Sequence, residues 1–237
     1  MRRLAILTPK YADYSQQTRW SLMRLKHSYP GLMILPMTVA ATYIHVARTM
    51  LLDAAVQVHT TGEQPLDYIL WLDSDVSFIP EDVQHLYYFL QTCTTRSCVS
   101  GLYYCRHTVN FPCGWTGSME TGINYINPWE INEHHKVDFA GLGFFLMPID
   151  IAVDYVKAND YRELFRSDNW VPSLNGEGYC QAGEDIYFTD KLGKMGVDIW
   201  LDTHVRLNHA GITHEKVMKA REENRVQPYA TVVIEEI

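Results

Sequence analysis

The chain has 237 residues, 47% of them hydrophobic and 20% charged, with a formal net charge of −8 and a pI of about 5.6. This composition excludes a disordered chain, and the acidic balance disfavours a nucleic-acid partner. No run reaches the roughly 18 apolar residues of a membrane helix, so we expect a soluble, cytoplasmic protein without a membrane span.

Short apolar stretches alternate with helical patterns along the chain. This alternation predicts an α/β fold, layered around a mainly parallel sheet. The predicted strands, in chain order, are 3–9, 31–38, 68–72, 97–105, 138–148 and 197–209. The predicted helices are 41–62, 79–92, 149–159, 183–196 and 213–224.

The third predicted strand leads directly into an acidic pair in the stretch "DYILWLDSDVSF". Its apolar run, 68–72, is typical of a strand covered on both faces, and Asp73 and Asp75 follow with Ser74 between them. Two carboxylates so close repel each other unless a cation holds them. In parallel sheets ligands bind beyond the carboxyl ends of the strands, so the pair lies where a site is expected. Alone, the pattern also fits a solvated strand end or a helix cap.

Three further features accompany this acidic pair. Arg48 lies on the predicted helix before it, in "HVARTMLLDAA", and Glu184 and Asp185 follow a glycine at a predicted helix start. His209 ends the last predicted strand and precedes "AG".

Taken in order, several stretches of the chain resemble GT-A nucleotide-sugar glycosyltransferases, similar to the family-2-like group and its short viral and bacterial relatives. They are "ARTMLLDAA", "DYILWLDSDVSFIPEDV", "SGLYYCRH", "VDFAGLGFFLMP" and "GEDIYFTDKLGKMGVDIWLDTHVRLNHAG". The resemblance implies a GT-A fold, a Rossmann-like layered α/β/α sandwich, as one domain over 1–237. It divides into a nucleotide-binding half (1–110), a sugar and acceptor half (111–215) and a C-terminal helix and tail (216–237).

The resemblance also implies a metal-dependent transfer of sugar from a nucleoside-diphosphate sugar, with UDP as the expected nucleotide, to a hydroxyl of a carbohydrate or another acceptor. Asp73, Asp75 and His209 would hold the metal. Carboxylate oxygens with one imidazole suit Mn²⁺, and Mg²⁺ is the competitor. The alternative for His209 is a hydrogen-bonded core or surface histidine.

The other residues that the resemblance implicates would contact the donor or carry the chemistry. Asp185 would be the general base that deprotonates the acceptor, and Glu184 would bind the sugar or acceptor. The alternative for both is an acidic first turn stabilised by the helix dipole. Donor contacts are implied for Thr8, Pro9, Tyr11, Arg48, Asp73, Ser74, Asp75, Arg106, Gly141 and Gly143.

Several of these donor contacts have a structural alternative. Thr8, Pro9 and Tyr11 also fit an ordinary strand-ending turn, and Arg48 fits a solvated arginine on a helix face. Gly141 and Gly143 would form a wall against the sugar or, alternatively, a bulge.

Two other classes of function stay open from the residues. A metal-dependent nucleotidyl or phosphoryl transferase would use the same carboxylates, although the chain has no phosphate-binding loop of the Gly-x-x-x-x-Gly-Lys-Ser/Thr type. A non-catalytic carbohydrate-binding module with Ca²⁺ would need more clustered oxygen ligands than Asp-x-Asp supplies.

Overall fold

The computed structural model describes residues 3–10, 13–62, 65–104, 112–126, 133–172, 179–213, 215, 216, 219 and 222. The helices are α1 (Gln16–Ser28), α2 (Ile44–Thr61), α3 (Pro80–Thr92), α4 (Ile149–Ala158) and α5 (Glu184–Lys194). The strands are β1 (Arg3–Lys10), β2 (Met33–Ala40), β3 (Tyr68–Leu72), β4 (Val76–Ser77), β5 (Ser97–Leu102), β6 (Gly114–Ser118), β7 (Gly122–Tyr125), β8 (His134–Val137), β9 (Phe139–Ala140), β10 (Phe144–Pro148), β11 (Asn169–Pro172), β12 (Tyr179–Ala182), β13 (Asp198–Arg206) and β14 (Asn208–His209). The predicted residues Tyr11 and Arg106, and nearly all of 216–237, lie outside the described residues.

A seven-stranded sheet in the order β2-β1-β3-β10-β5-β13-β8 forms the centre of the fold. β10 runs antiparallel to both of its neighbours, β3 and β5, and β8 runs antiparallel to β13, while the other pairings are parallel. The carboxyl ends of β1, β2, β3, β5 and β13 therefore share one edge of the sheet. This mixed, mainly parallel sheet with helices is a Rossmann-like α/β fold, as predicted.

Helices cover both faces of the sheet. Neighbouring residues of a strand point to opposite faces, and on β10 the ring of Phe144 contacts Phe78, just before α3, at 5.0 Å between centroids. Phe145 instead contacts Phe188 of α5 at 6.5 Å. The segment leading into α3 and helix α5 thus lie on opposite faces, and the apolar run of β3 is buried between the two layers.

The structure differs from the predictions in several elements: β4, β6, β7, β8, β11 and β12 were not predicted, and the predicted strand 197–209 is two strands, β13 and β14. The predicted strand 138–148 is two strands, because the chain turns at 141–143: β9 joins a small sheet with β6 and β7, while β10 enters the central sheet. Helix α1 was not predicted. Its buried positions are Thr18, Ser21 and Leu25, so two of three are polar and the apolar period that marks a helix is hidden.

The central sheet interleaves strands from the two predicted halves of the chain. β10, from the later half, lies between β3 and β5 of the earlier half, so any site at this edge draws residues from both. No helix in the described part of the chain is long and apolar enough to cross a membrane.

Candidate functional site

Several predicted residues meet at the edge where the parallel strands end. Asp73 directly follows β3, and His209 lies in β14, which begins two residues after β13. β14 pairs with β4, the short strand that follows the acidic pair, with His209 opposite Val76. This pairing is what brings a late histidine next to Asp75.

A tight turn fixes His209 in this position. Ala210 and Gly211 both have positive φ, 49° and 81°, as in the type I′ turns that join two antiparallel segments. The backbone N–H of Ala210 donates to the Asp75 carbonyl at 3.2 Å, and His209 and Ile212 exchange backbone hydrogen bonds of 2.9 and 3.1 Å. The turn formed by the "HAG" sequence therefore fixes the imidazole beside the acidic pair.

Asp73, Asp75 and His209 form a group of potential metal ligands whose donor atoms all lie within 4.8 Å of one another. His209 Nε2 is 3.4 Å from Asp75 Oδ1, longer than an ordinary hydrogen bond. The His209 side chain is 7% exposed.

The other ring nitrogen of His209 determines which atom faces the carboxylates. Nδ1–H donates to the Tyr104 carbonyl at 2.7 Å, which leaves the lone pair of the neutral ring on Nε2, as in many metal-binding histidines. Burial alone would lower the pKa of His209, but Asp75 and the Tyr104 carbonyl outweigh it and raise that pKa. The buried Nε2 with two carboxylates fits a divalent cation.

Arg48 is buried, not solvated on a helix face. Its side chain is 2% exposed, and its guanidinium donates to Asp73 Oδ1 and to Glu184 Oε1, each at 3.0 Å. It also lies 5.4 Å from the centre of the Trp71 ring. Burial would lower the pKa of Arg48, but Asp73 and Glu184 outweigh it and raise that pKa, so the charge is kept. Arg48 thereby joins the acidic pair to the start of α5; its contact with a nucleotide stays a prediction.

Glu184 and Asp185 open α5, as predicted. Asp185 Oδ1 accepts a hydrogen bond from the backbone N–H of Ile186 at 2.8 Å. The pKa of Asp185 is raised to about 7, mainly by burial and then by the neighbouring Glu184 charge, although Arg48 acts in the opposite sense. A carboxyl group with a pKa close to neutral is able to exchange protons at physiological pH.

Gly141 and Gly143 make room for Tyr103, which the sequence reasoning did not single out. A Cβ on Gly143 would lie 2.7 Å from Tyr103 Cζ, and a Cβ on Gly141 would clash with the same ring. Tyr103 Oη accepts the Gly143 N–H at 2.8 Å. These glycines thus have a packing role beneath the site, and a contact with sugar stays a prediction.

The remaining predicted donor contacts lie close to this edge or outside the described residues. Thr8 and Pro9 are buried at the carboxyl end of β1, beside β3 in the sheet. Ser74 holds the N-terminus of α1, because its carbonyl accepts the Ser15 N–H at 2.8 Å. Contact of these three residues with a nucleotide stays a prediction.

The comparisons with known proteins bear on the fold. No protein-family model matches the sequence, and none of the curated proteins compared with it matches. The structure is similar to the crystal structure of A197 from STIV, with a TM-score of 0.57, 17% identity, and coverage of 88% of this chain and 85% of that chain. At this identity, the likeness shows a shared α/β fold.

Proposed function

We propose that this protein is a metal-dependent glycosyltransferase that moves a sugar from a nucleoside-diphosphate sugar, with UDP as the expected nucleotide, to an acceptor hydroxyl. The observation that carries the proposal is the group Asp73, Asp75 and His209, with donor atoms within 4.8 Å of one another. Arg48 connects it to the carboxylates that open α5. The GT-A resemblance of the sequence and the Rossmann-like fold support the same reading.

The donor set favours Mn²⁺, with Mg²⁺ as the competitor, because two carboxylates and one imidazole combine hard oxygens with a nitrogen ligand. When bound, such a cation neutralises the negative charge that grows on a diphosphate leaving group. The chain's own contribution is positional: the Tyr104 carbonyl orients His209, and Arg48 holds Asp73.

The two carboxylates of α5 take different roles in this proposal. Glu184 is held by Arg48 at 3.0 Å, which suits a fixed acceptor of hydrogen bonds from a sugar or acceptor hydroxyl. Asp185, with its pKa raised to about 7, suits the group that takes the proton from the attacking hydroxyl.

Asp75→Ala is expected to abolish metal-dependent nucleotide binding while the fold persists. The wild type should bind UDP much more tightly with Mn²⁺ than after chelation with EDTA, and the variant should bind equally weakly in both conditions, because it has lost one of the proposed ligands. Isothermal titration calorimetry measures both affinities. Asp150→Ala is the matched control, since this exposed aspartate follows β10 at the opposite edge of the sheet. Equal affinity of the wild type for UDP with and without metal would contradict the proposal.

A panel of nucleotide sugars distinguishes the three classes of function. A glycosyltransferase releases nucleoside diphosphate in a metal-dependent reaction, slowly to water and faster with the correct acceptor. A nucleotidyl transferase, given pyrophosphate beside the nucleotide sugar, instead forms nucleoside triphosphate and sugar 1-phosphate, and a carbohydrate-binding module forms none of these products. Chromatography of the nucleotide products reads out all three outcomes.

His209→Ala is expected to raise the Mn²⁺ concentration needed for half-maximal UDP binding by roughly 10–100-fold, since it removes the one nitrogen ligand. Calorimetric titrations with Mn²⁺ at fixed UDP measure this shift, with the exposed His27→Ala as the control. A variant with unchanged metal dependence and lower thermal stability would show instead that His209 is a packing residue.

A further inference from the structure

A second group of potential metal ligands lies away from the acidic pair, where three elements meet. His85 is on α3, His134 opens β8, and Asp202 and His204 lie on β13. Asp202 and His134 are directly opposite each other in the β13–β8 pairing. The donor atoms of these four side chains all lie within 4.8 Å of one another.

Asp202 is the centre of this group, which we call the histidine cluster. Its carboxylate is fully buried, and its Oδ2 has no hydrogen-bond partner within the described ranges. Oδ2 is 3.3 Å from His134 Nε2 and 3.9 Å from His85 Nε2. Oδ1 accepts a hydrogen bond from the backbone N–H of His204 at 2.9 Å. A buried charge is costly unless a cation compensates it, and here imidazoles surround it.

The packing around the histidine cluster holds the rings in place. His134 stacks on Phe89, one helical turn after His85, with ring centroids 4.0 Å apart and planes 7° apart. The rings of His85 and His204 are also nearly parallel, at 22° and 5.1 Å. β13 changes register between Asp202 and Arg206, an irregularity of the kind that re-aims side chains at functional positions.

We propose that the histidine cluster binds a zinc ion, as a structural site separate from the acidic pair and its metal. Three imidazoles and one carboxylate make the four-ligand set that Zn²⁺ accepts. A tetrahedron with bonds of about 2.0–2.1 Å has edges of about 3.4 Å, close to the 3.3 and 3.9 Å separations of the Asp202–His134 and Asp202–His85 atoms. Such nitrogen-rich ligands are softer than those of the Asp73 group, so the two groups prefer different metals.

The place of the histidine cluster in the fold indicates what zinc would do there. β8 is the edge strand of the central sheet, with β13 as its partner in that sheet. A zinc ion held by His134, Asp202 and His85 would connect this edge strand to the sheet and to α3. Metal ligands drawn from separate elements stabilise the folded state, since the unfolded chain does not hold them together.

Zinc content and thermal stability test this proposal. The chelator-treated protein should take up one equivalent of Zn²⁺ at the histidine cluster, measured by elemental analysis after desalting. With free zinc at about 100 times the dissociation constant, the melting temperature should rise by roughly 5–10 °C. Co²⁺ in place of zinc should give the intense visible absorption of tetrahedral coordination.

Matched variants assign the zinc to the histidine cluster. His85→Gln, on the helix surface, and His134→Ala should each lower zinc affinity by at least tenfold and reduce the thermal shift. His135→Ala, the next residue of β8, should leave zinc uptake intact, because its side chain points to the other face of the strand. Asp75→Ala should lose the Mn²⁺-dependent binding of UDP yet keep the zinc.

Two results would overturn the proposal. One is a wild-type protein that takes up no zinc and shows no thermal shift. The other is uptake that persists in His85→Gln and His134→Ala but is lost in Asp75→Ala, which would place the zinc at the acidic pair. Since the zinc measurements need no nucleotide, they are independent of the proposed transferase activity.

Discussion

Replacing Arg48 with methionine is expected to lower the free energy of unfolding by about 3 kcal/mol, the usual loss when one partner of a buried ion pair is removed. The guanidinium is 2% exposed and contacts Asp73 and Glu184 at 3.0 Å each. Without it, two poorly hydrated carboxylates face each other with no intervening charge. Methionine fills much of the same volume, so the loss reports mainly on charge.

Urea unfolding followed by circular dichroism measures this loss. Arg96→Met is the control, because Arg96 and Asp154 form an exposed pair at 2.7 Å, which water screens. The control should lose far less stability than Arg48→Met. Equal losses in the two variants would contradict a stabilising role for the buried network around Arg48.

The sequence predicts those parts of the site that a local pattern marks. The apolar run 68–72 gives β3, and the acidic residues after it are thereby placed at the edge where parallel strands end. The periodicity of 41–62 gives α2, and the "GED" stretch gives the start of α5. The structure brings Arg48, Asp73, Glu184 and His209 close to one another through two ion pairs and a group of potential metal ligands. Their roles in binding and catalysis stay predictions.

What the sequence does not predict depends on contacts between distant segments. Helix α1 buries Thr18 and Ser21 because their hydroxyls bond the backbone of Val76 and Phe78, and no apolar period reveals such a face. The burial of Arg48 also cannot be predicted from the sequence, since a single arginine on a helix is usually exposed.

The histidine cluster could not be predicted from the sequence for the same reason. Its members are spread over α3, β8 and β13, and the only local signal is the spacing of Asp202 and His204. Their proximity arises from the order of the strands in the sheet, in particular from β8 as the neighbour of β13.

Asp185→Asn is expected to reduce sugar transfer by about 10²–10⁴-fold while leaving UDP binding in the presence of Mn²⁺ near the wild-type level. Asparagine keeps the size of the side chain and its bond to the Ile186 N–H, but it cannot accept the proton of the attacking hydroxyl. Because proton transfer occurs only during attack, the rate constant should fall and the donor affinity should not. Calorimetry of UDP binding and an assay of transfer to an acceptor separate these effects.

The pH dependence provides an independent signature of Asp185. Its pKa is raised to about 7, so the carboxylate needed for proton transfer forms only as the pH rises through 7, and wild-type kcat/KM should rise over this range. The contribution of Asp185 to stability changes with pH in the opposite direction to kcat/KM. The unfolded pKa is about 3.9, so the contribution of Asp185 to stability is fully present below pH 4 and is lost as the pH rises to about 7. Asp185→Asn should weaken the dependence on pH both of kcat/KM and of the free energy of unfolding.

Asp190→Asn is the matched control for Asp185→Asn, because Asp190 lies on the same helix and pairs with Lys194 at 2.7 Å. It should keep both the transfer rate and its rise with pH. An Asp185→Asn protein with full activity would contradict the assignment of the general base. NMR of the product tests the mechanism itself, since a base at Asp185 implies direct attack and inversion at the anomeric carbon. A retained configuration would exclude this single displacement. It would not bear on the predicted binding of metal and nucleotide at Asp73, Asp75 and His209, which calorimetry tests separately.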